Sequence, residues 1–334
     1  MSENIDKILE VENLHTTFFT KYNDIKSVRG VSFQLNKREV MGIVGESGCG
    51  KSVTVRSVMR ILQDPGKIVD GKILYNKTDL LSLKEEEMKN IRGNNISMIF
   101  QDPMTALNPV LTIGYQISEV IKEHNPKINK KETRMRIIEL LNDLNIPDPE
   151  IRLKQYPHEF SGGMRQRIMI AMALANNPDI LIADEPTTAL DVTIQDQILK
   201  LMKKLKEEKN KSIILITHDL GVVAETCDRV IVMYAGIVVE EGNIYDIFEK
   251  PSHPYTIGLL HSLPSYNDEK NNKLYSIPGS PPDLSNEIVG CPFASRCEKA
   301  MKLCLNYLPD FVDIDNGHKS RCFLCYEDIK KMIN

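Results

Sequence analysis

The sequence predicts an α/β chain: a mostly parallel sheet with helices against it, an antiparallel β subdomain, an inserted helical subdomain and a small irregular, cysteine-containing C-terminal extension. Three stretches carry that prediction. EVMGIVGESGCGKS at 39–52 runs from an apolar segment into a glycine-rich loop and on to the helical VTVRSVMRIL. DILIADEP at 179–186 ends a second apolar segment on two carboxylates. After about residue 245 the alternation of strands and helices stops, and Pro-rich, Cys-bearing sequence takes over.

The early strands ILEVENL, VSFQL and KILYN are short and separated by turns, as in a small antiparallel sheet. Residues 102–176 are mainly helical, with 3.6-residue periodicity in TIGYQISEVIKEH and KKETRMRIIELLNDLNI. SIILIT and DRVIVMY are short, β-branched and bounded by polar residues, so they read as buried strands. KKLKEEKNK at 203–211 mixes both signs and reads as a solvated helix face.

The bulk properties narrow the function classes. The chain has 334 residues, 42% hydrophobic and 26% charged, enough to build a packed core. A formal net charge of −4 argues against a nucleic-acid binder, which carries a basic surplus or stripe. The N-terminal MSENIDKILEVENLH has no apolar signal core, and no apolar run approaches the ~18 residues of a membrane span. A cytosolic location is expected. Thiols are reduced there, so clustered cysteines point to a metal site rather than to disulfides.

In GESGCGKS, a strand, loop and helix meet the requirements of a phosphate cradle. Gly45, Ser47, Gly48, Cys49 and Gly50 shape a loop whose backbone N–H groups turn on phosphates, and the helix N-terminus adds its dipole. Lys51 is placed to reach the β- and γ-phosphates, and the Ser52 hydroxyl to ligate Mg²⁺. Cys49 fills a position that needs a small residue. In DILIADEP, Asp184 ends a strand and would hold Mg²⁺, directly or through water. Glu185 follows it and would orient a water for in-line attack on a γ-phosphoryl group.

Between these motifs lies HEFSGGMRQR at 158–167, which opens the helical IMIAMALA. With it the chain resembles an ATP-binding subunit of the ATP-binding cassette (ABC) superfamily, a P-loop NTPase fold. The FSGGMRQR form is similar to that of dipeptide and oligopeptide importer ATPases. The resemblance implies that Ser161, Gly162 and Gly163 grip the ATP held by an opposite subunit. It places Gln101 as the glutamine that senses Mg²⁺ and the attacking water. It makes TALD at 188–191, ending in Asp191, the loop crossing a dimer interface, and His218 the switch histidine on the γ-phosphate. LHTTFFTKY offers an aromatic to stack on adenine: Phe18 by position, with Phe19 and Tyr22 as alternatives.

The motifs divide the chain into a nucleotide-binding domain over 1–250, with its helical subdomain at about 102–176, and an extension over 251–334. HPYTIGLL and PGSPPDL resemble the extension of peptide-importer ATPases and their nickel-importing relatives. Cys291, Cys297, Cys304 and Cys322 are separated by five, six and seventeen residues, without the tight pair usual in zinc sites. That looser spacing suits a [4Fe–4S] cluster, as the resemblance also implies, with zinc as the alternative. Cys325 forms C-x₂-C with Cys322 and could replace it. The metal's expected role is structural.

The expected function is ATP hydrolysis that powers import of di- or oligopeptides. Its expected partners are a second, related ATPase, two membrane permeases and an extracytoplasmic binding protein, placing the chain at the cytoplasmic face of the membrane. A nickel or other small-solute importer and a soluble DNA-repair ATPase are the rival readings.

Overall fold

The computed structural model describes residues 6–102, 106–187, 192–263, 275–315 and 317–333. Its strands, in chain order, are β1 (Lys7–Phe19), β2 (Asp24–Asn36), β3 (Val40–Val44), β4 (Gly66–Tyr75), β5 (Thr78–Asp79) and β6 (Ile96–Ile99). They continue with β7 (Ile180–Asp184), β8 (Ser212–Ile216), β9 (Arg229–Tyr234), β10 (Ile237–Asn243), β11 (Val312–Asp315) and β12 (His318–Ser320). The chain forms two compact units, one of residues 1–6, 36–40 and 82–216, the other of 7–35, 41–81 and 217–334.

In the first unit, β6, β7 and β8 run parallel, with β7 in the middle. Every residue of the three strands is buried. That is why ISMI, ILIAD and SIILI read as continuous apolar runs rather than as alternating ones. The helical insertion follows the predicted periodicity. Helix Ile113–His124 is N-capped by Thr112 and buries Ile113, Ile117 and Ile121, one stripe at i, i+4 spacing. Helix Lys130–Asp143 starts with a capping box between Asn129 and Glu132 and buries Ile137 and Leu141. Truncating a core residue such as Ile117 to Ala would cost about 2–5 kcal/mol. A third helix, Gly162–Leu174, carries the SGG segment at its start. Lys211 departs from the solvated-face reading. It lies beyond the helix Val192–Lys209, is buried, and donates to the Asn177 carbonyl at 2.9 Å.

In the second unit, an antiparallel sheet has the order β2-β1-β4-β5, and a mixed sheet runs β11-β12-β10-β9-β3. β3 and β9 are parallel, and β9, β10, β12 and β11 pair antiparallel. The extension is thus less irregular than its composition implies. Its two short strands join the sheet through β10, with Glu240 opposite Ser320 and Glu241 opposite Lys319. VDID and HKS are too short and too polar for period-2 alternation to reveal them.

Glu240 is fully buried and ties this region together. Its carboxylate accepts from the Ser252 N–H at 2.6 Å, the His253 N–H at 2.9 Å and His318 Nε2 at 2.8 Å. The helix Pro254–His261 starts as the sequence indicates, with Pro at its first position and His253 as N-cap. Beside it, Tyr234, Tyr255 and Phe293 form an aromatic cluster with ring centroids 4.6–5.4 Å apart.

Candidate functional site

The phosphate loop lies in the second unit, between β3 and the helix Lys51–Val58. Gly45 has φ +147°, and a Cβ there would sit 2.2 Å from the Met233 carbonyl. Gly50 has φ +101°, and a Cβ there would sit 2.5 Å from the Ser27 carbonyl. Both positions therefore require glycine. Ser47 and Gly48 are exposed at the mouth of the loop. Lys51 is buried, and its ammonium donates to the Gly45 carbonyl at 2.7 Å and the Glu46 carbonyl at 2.9 Å. Ser52 stands in the first helical turn. Cys49 is buried, as a packing residue should be. Burial pushes its thiol up from its ordinary value, against the opposing effect of Lys51.

Two further predicted residues lie in this unit. Phe18 is half-buried near the end of β1, opposite Gly66, whereas Phe19 and Tyr22 are exposed. His218 is exposed and immediately precedes Asp219. Asp219 caps the helix Leu220–Thr226 by accepting from the N–H groups of Gly221 and Val222.

The first unit brings two of the predicted residues, Glu185 and Gln101, together. Asp184 ends β7 and is fully buried. Glu185 follows at φ 50°, a left-handed conformation that costs a non-glycine residue roughly 1 kcal/mol or more. Its N–H is held by the Ile216 carbonyl at 2.9 Å. Its carboxylate accepts from the Gln101 side-chain amide at 2.7 Å. The strained turn thus presents a half-buried carboxylate already paired with the second predicted residue.

The SGG segment is built as a helix start. Ser161 N-caps Gly162–Leu174 by accepting from the Met164 N–H at 3.4 Å. Ser161 and Gly162 are exposed, and a Cβ on Gly162 would meet open space. Gly163 is closely packed: a Cβ there would lie 3.0 Å from the Ile194 side chain, which would have to give way. Gln166, which sequence reasoning passed over, donates to the Pro186 carbonyl at 2.6 Å and so joins this helix to the Glu185 turn. Only its place in FSGGMRQR could have flagged it. Asp191 and the rest of TALD lie outside the described residues.

The Ser52 hydroxyl in the second unit and the buried Asp184 carboxylate in the first are each hard oxygen donors, the class Mg²⁺ prefers. The cysteines of the extension are soft ones. Cys291, Cys297, Cys304 and Cys322 line one cavity of about 20 Å³. That is room for about one water. Among the described residues, no three His, Cys, Asp or Glu side chains are placed to hold one metal ion. Burial pushes the Cys291 thiol up to about 11 and raises Cys297 as well. The hydrogen bond with Cys325, then burial, raises Cys322.

Sequence reasoning also missed Glu46, Tyr255 and Arg296. Glu46 is the second residue of the phosphate loop. Its N–H donates to the Tyr255 hydroxyl at 2.8 Å, and its carboxylate accepts from Arg296 Nη1 at 2.7 Å and Nη2 at 3.0 Å. HPY marks Tyr255 in the sequence, but nothing there marks Arg296.

Among the described residues, no helix is long and apolar enough to cross a membrane. Residues 28–188 match the family described as ABC transporter, and 239–304 match the oligopeptide/dipeptide transporter C-terminal region. The dipeptide transport ATP-binding protein DppD of Bacillus subtilis is 54% identical, over 96% of this chain and 95% of that protein. The oligopeptide transport ATP-binding protein OppD of the same organism is 51% identical, over 98% and 92%. Among solved structures, a dimeric ATP-binding cassette in a post-hydrolysis state with ADP and phosphate superposes with a TM-score of 0.65. It is 29% identical and covers 71% of this chain and 99% of that one. A subunit of the ABC transporter complex cbiONQ from Clostridium perfringens gives 0.62 at 29% identity, over 73% and 92%. A phosphate loop, a carboxylate–glutamine pair, a serine-capped SGG helix and likeness along nearly the whole length lead to one conclusion: the chain belongs to the ABC transporter family, as an ATP-hydrolysing subunit of the dipeptide and oligopeptide importer type.

Proposed function

We propose that this chain powers uptake of di- and oligopeptides from the cytoplasmic face of the membrane. It would act with two permease subunits, an extracytoplasmic binding protein and a second, related ATPase. The observation that carries this reading is that likeness to peptide-transport ATP-binding proteins extends through the C-terminal region as well as the cassette. The working division is a nucleotide-binding domain over 1–250, with helices at about 102–176, and an extension over 251–334.

The chemistry assigned to each residue follows from its setting. The phosphate loop and Lys51 bind the triphosphate through backbone N–H groups and a buried ammonium. Ser52 and Asp184 would hold Mg²⁺, which neutralises charge on the phosphate oxygens. Glu185 accepts the proton of the attacking water, and Gln101 positions that carboxylate through their hydrogen bond. His218 contacts the γ-phosphate, and Phe18 stacks on adenine. Ser161, Gly162, Gly163 and Asp191 serve the nucleotide of the partner ATPase. ATP closes the pair by contacts in both halves, and hydrolysis removes those contacts.

Cys291, Cys297, Cys304 and Cys322 would hold a [4Fe–4S] cluster as a structural staple, on the strength of four thiols lining one cavity. Zinc is the alternative occupant, and Cys325 the alternative ligand.

Reconstitution with the permeases and binding protein in vesicles tests the whole reading. ATP-dependent uptake of a labelled dipeptide is the expected result. Uptake of nickel in place of peptide would overturn the assigned cargo.

A further inference from the structure

The contact between Arg296 and Glu46 links positions 250 residues apart. Arg296 has five N–H donors in a planar fork, and the structure uses the fork fully. Nη1 and Nη2 grip the two Glu46 oxygens, Nη1 also reaches the Tyr234 hydroxyl at 3.2 Å, Nη2 reaches the Ile277 carbonyl at 3.3 Å, and Nε donates to the Pro278 carbonyl at 2.8 Å. The Arg296 side chain is 5% exposed and that of Glu46 24%. This is a shielded, bidentate pair rather than a surface ion pair of negligible worth.

On the loop side, Glu46 is held at three points. Arg296 holds its carboxylate, the Tyr255 hydroxyl its N–H, and Lys51 its carbonyl. Two of the three holders come from beyond residue 250. Without Arg296, a carboxylate inside the phosphate loop would be free to oppose an incoming triphosphate and to compete for Lys51. We infer that Arg296, assisted by Tyr255, is a positioning residue for ATP: it neutralises and orients Glu46 so that the phosphate loop accepts nucleotide. The C-terminal extension thereby completes the nucleotide site of its own chain. The inference rests on the assignment of ATP to the phosphate loop.

Equilibrium binding of MgATP to the full chain, with steady-state hydrolysis alongside, tests it. Arg296→Gln is expected to raise the Kd about tenfold and the KM in parallel, with kcat little changed, because ATP binding is weakened and the water-handling residues are untouched. Adding Glu46→Gln is expected to restore most of the affinity, because it removes the carboxylate left unpaired. A purely structural staple would show no such relief. Arg296→Lys keeps the charge but loses the fork, and should fall between. An unchanged Kd in Arg296→Gln, or a loss that Glu46→Gln fails to relieve, overturns the inference. If Arg296→Gln does not fold, the lysine variant is read the same way, and a parental Kd there overturns it too. Failure of the parental chain to bind MgATP would instead remove the nucleotide assignment beneath it.

Discussion

The Gln101 side-chain amide donates to the Glu185 carboxylate at 2.7 Å, across 84 positions of sequence. The carboxylate assigned to activate water is thus already oriented by a neighbour. Its backbone is held in a left-handed conformation that only a constrained turn sustains. Glu185→Gln keeps the shape and removes the proton acceptor. Turnover should fall by roughly 10²–10⁴-fold while MgATP binding persists and the closed dimer accumulates. Phosphate release and equilibrium binding measured side by side check this; parental turnover would show that another group takes the proton.

Ser161 sits exposed at the N-terminus of its helix. If it serves a nucleotide held by the partner ATPase, Ser161→Arg should harm hydrolysis at the partner's site more than at its own. Dimers mutated on one side only, assayed for each site, give the answer. Equal loss at both sites counts against the cross-subunit role.

His253 supplies a pH dependence. Burial lowers its pKa to about 4, against the opposing charge of Glu240. Its Nδ1 accepts from the Tyr255 N–H at 3.1 Å, which a protonated ring could not do. The folded pKa lies below the unfolded value of about 6.5, so the folded state binds this proton less readily. The contribution is fully present above pH 6.5 and is lost as pH falls toward 4, by up to about 3 kcal/mol. His253→Asn retains a capping acceptor and removes the titration. Denaturant unfolding of both proteins between pH 7 and 4 should give a difference that narrows as pH falls; a constant difference would contradict this account. His318 has the opposite sign. Burial lowers its pKa, but the hydrogen bond and charge of Glu240 outweigh that and raise it, so its contribution is present below 6.5 and fades as pH climbs through the raised value.

Protein made without oxygen is expected to be brown, with iron and acid-labile sulfide each at about four per chain. The raised thiol pKa values mean that thiolate binding of any metal must displace protons. Colourless anaerobic protein with bound zinc would exclude the cluster and keep the staple. Metal-free protein with a folded extension would exclude both.

What was legible in the sequence was local. GESGCGKS specifies its own loop because strand, glycines, lysine and helix are contiguous. DILIADEP is readable because a strand buried on both faces leaves one apolar run ending in charge. Gln101 and Glu185 were each placed by motif, but their hydrogen bond depends on tertiary closure. Arg296 was hidden for a stronger reason. No motif includes it, and only the fold brings it to Glu46. β11 and β12 escaped because pairing of β12 to β10 and of β11 to β12, not periodicity, makes them strands. Lys211 read as solvated because its lysine-rich neighbourhood concealed its burial.

Glu240 has a consequence for anyone trimming or grafting this protein. Its three donors come from residues 252, 253 and 318, and β12 covers the edge of β10. A cut at residue 250 would strip a buried carboxyl group of these donors and bare unpaired backbone groups on the edge of β10. The shortened cassette should aggregate, and replacing Glu240 with Gln should not rescue it, because the open edge remains. A transplanted extension, in turn, would need a host that offers both an acid on that strand and a glutamate in its phosphate loop. Fusion at the chain terminus alone would not reproduce the native union.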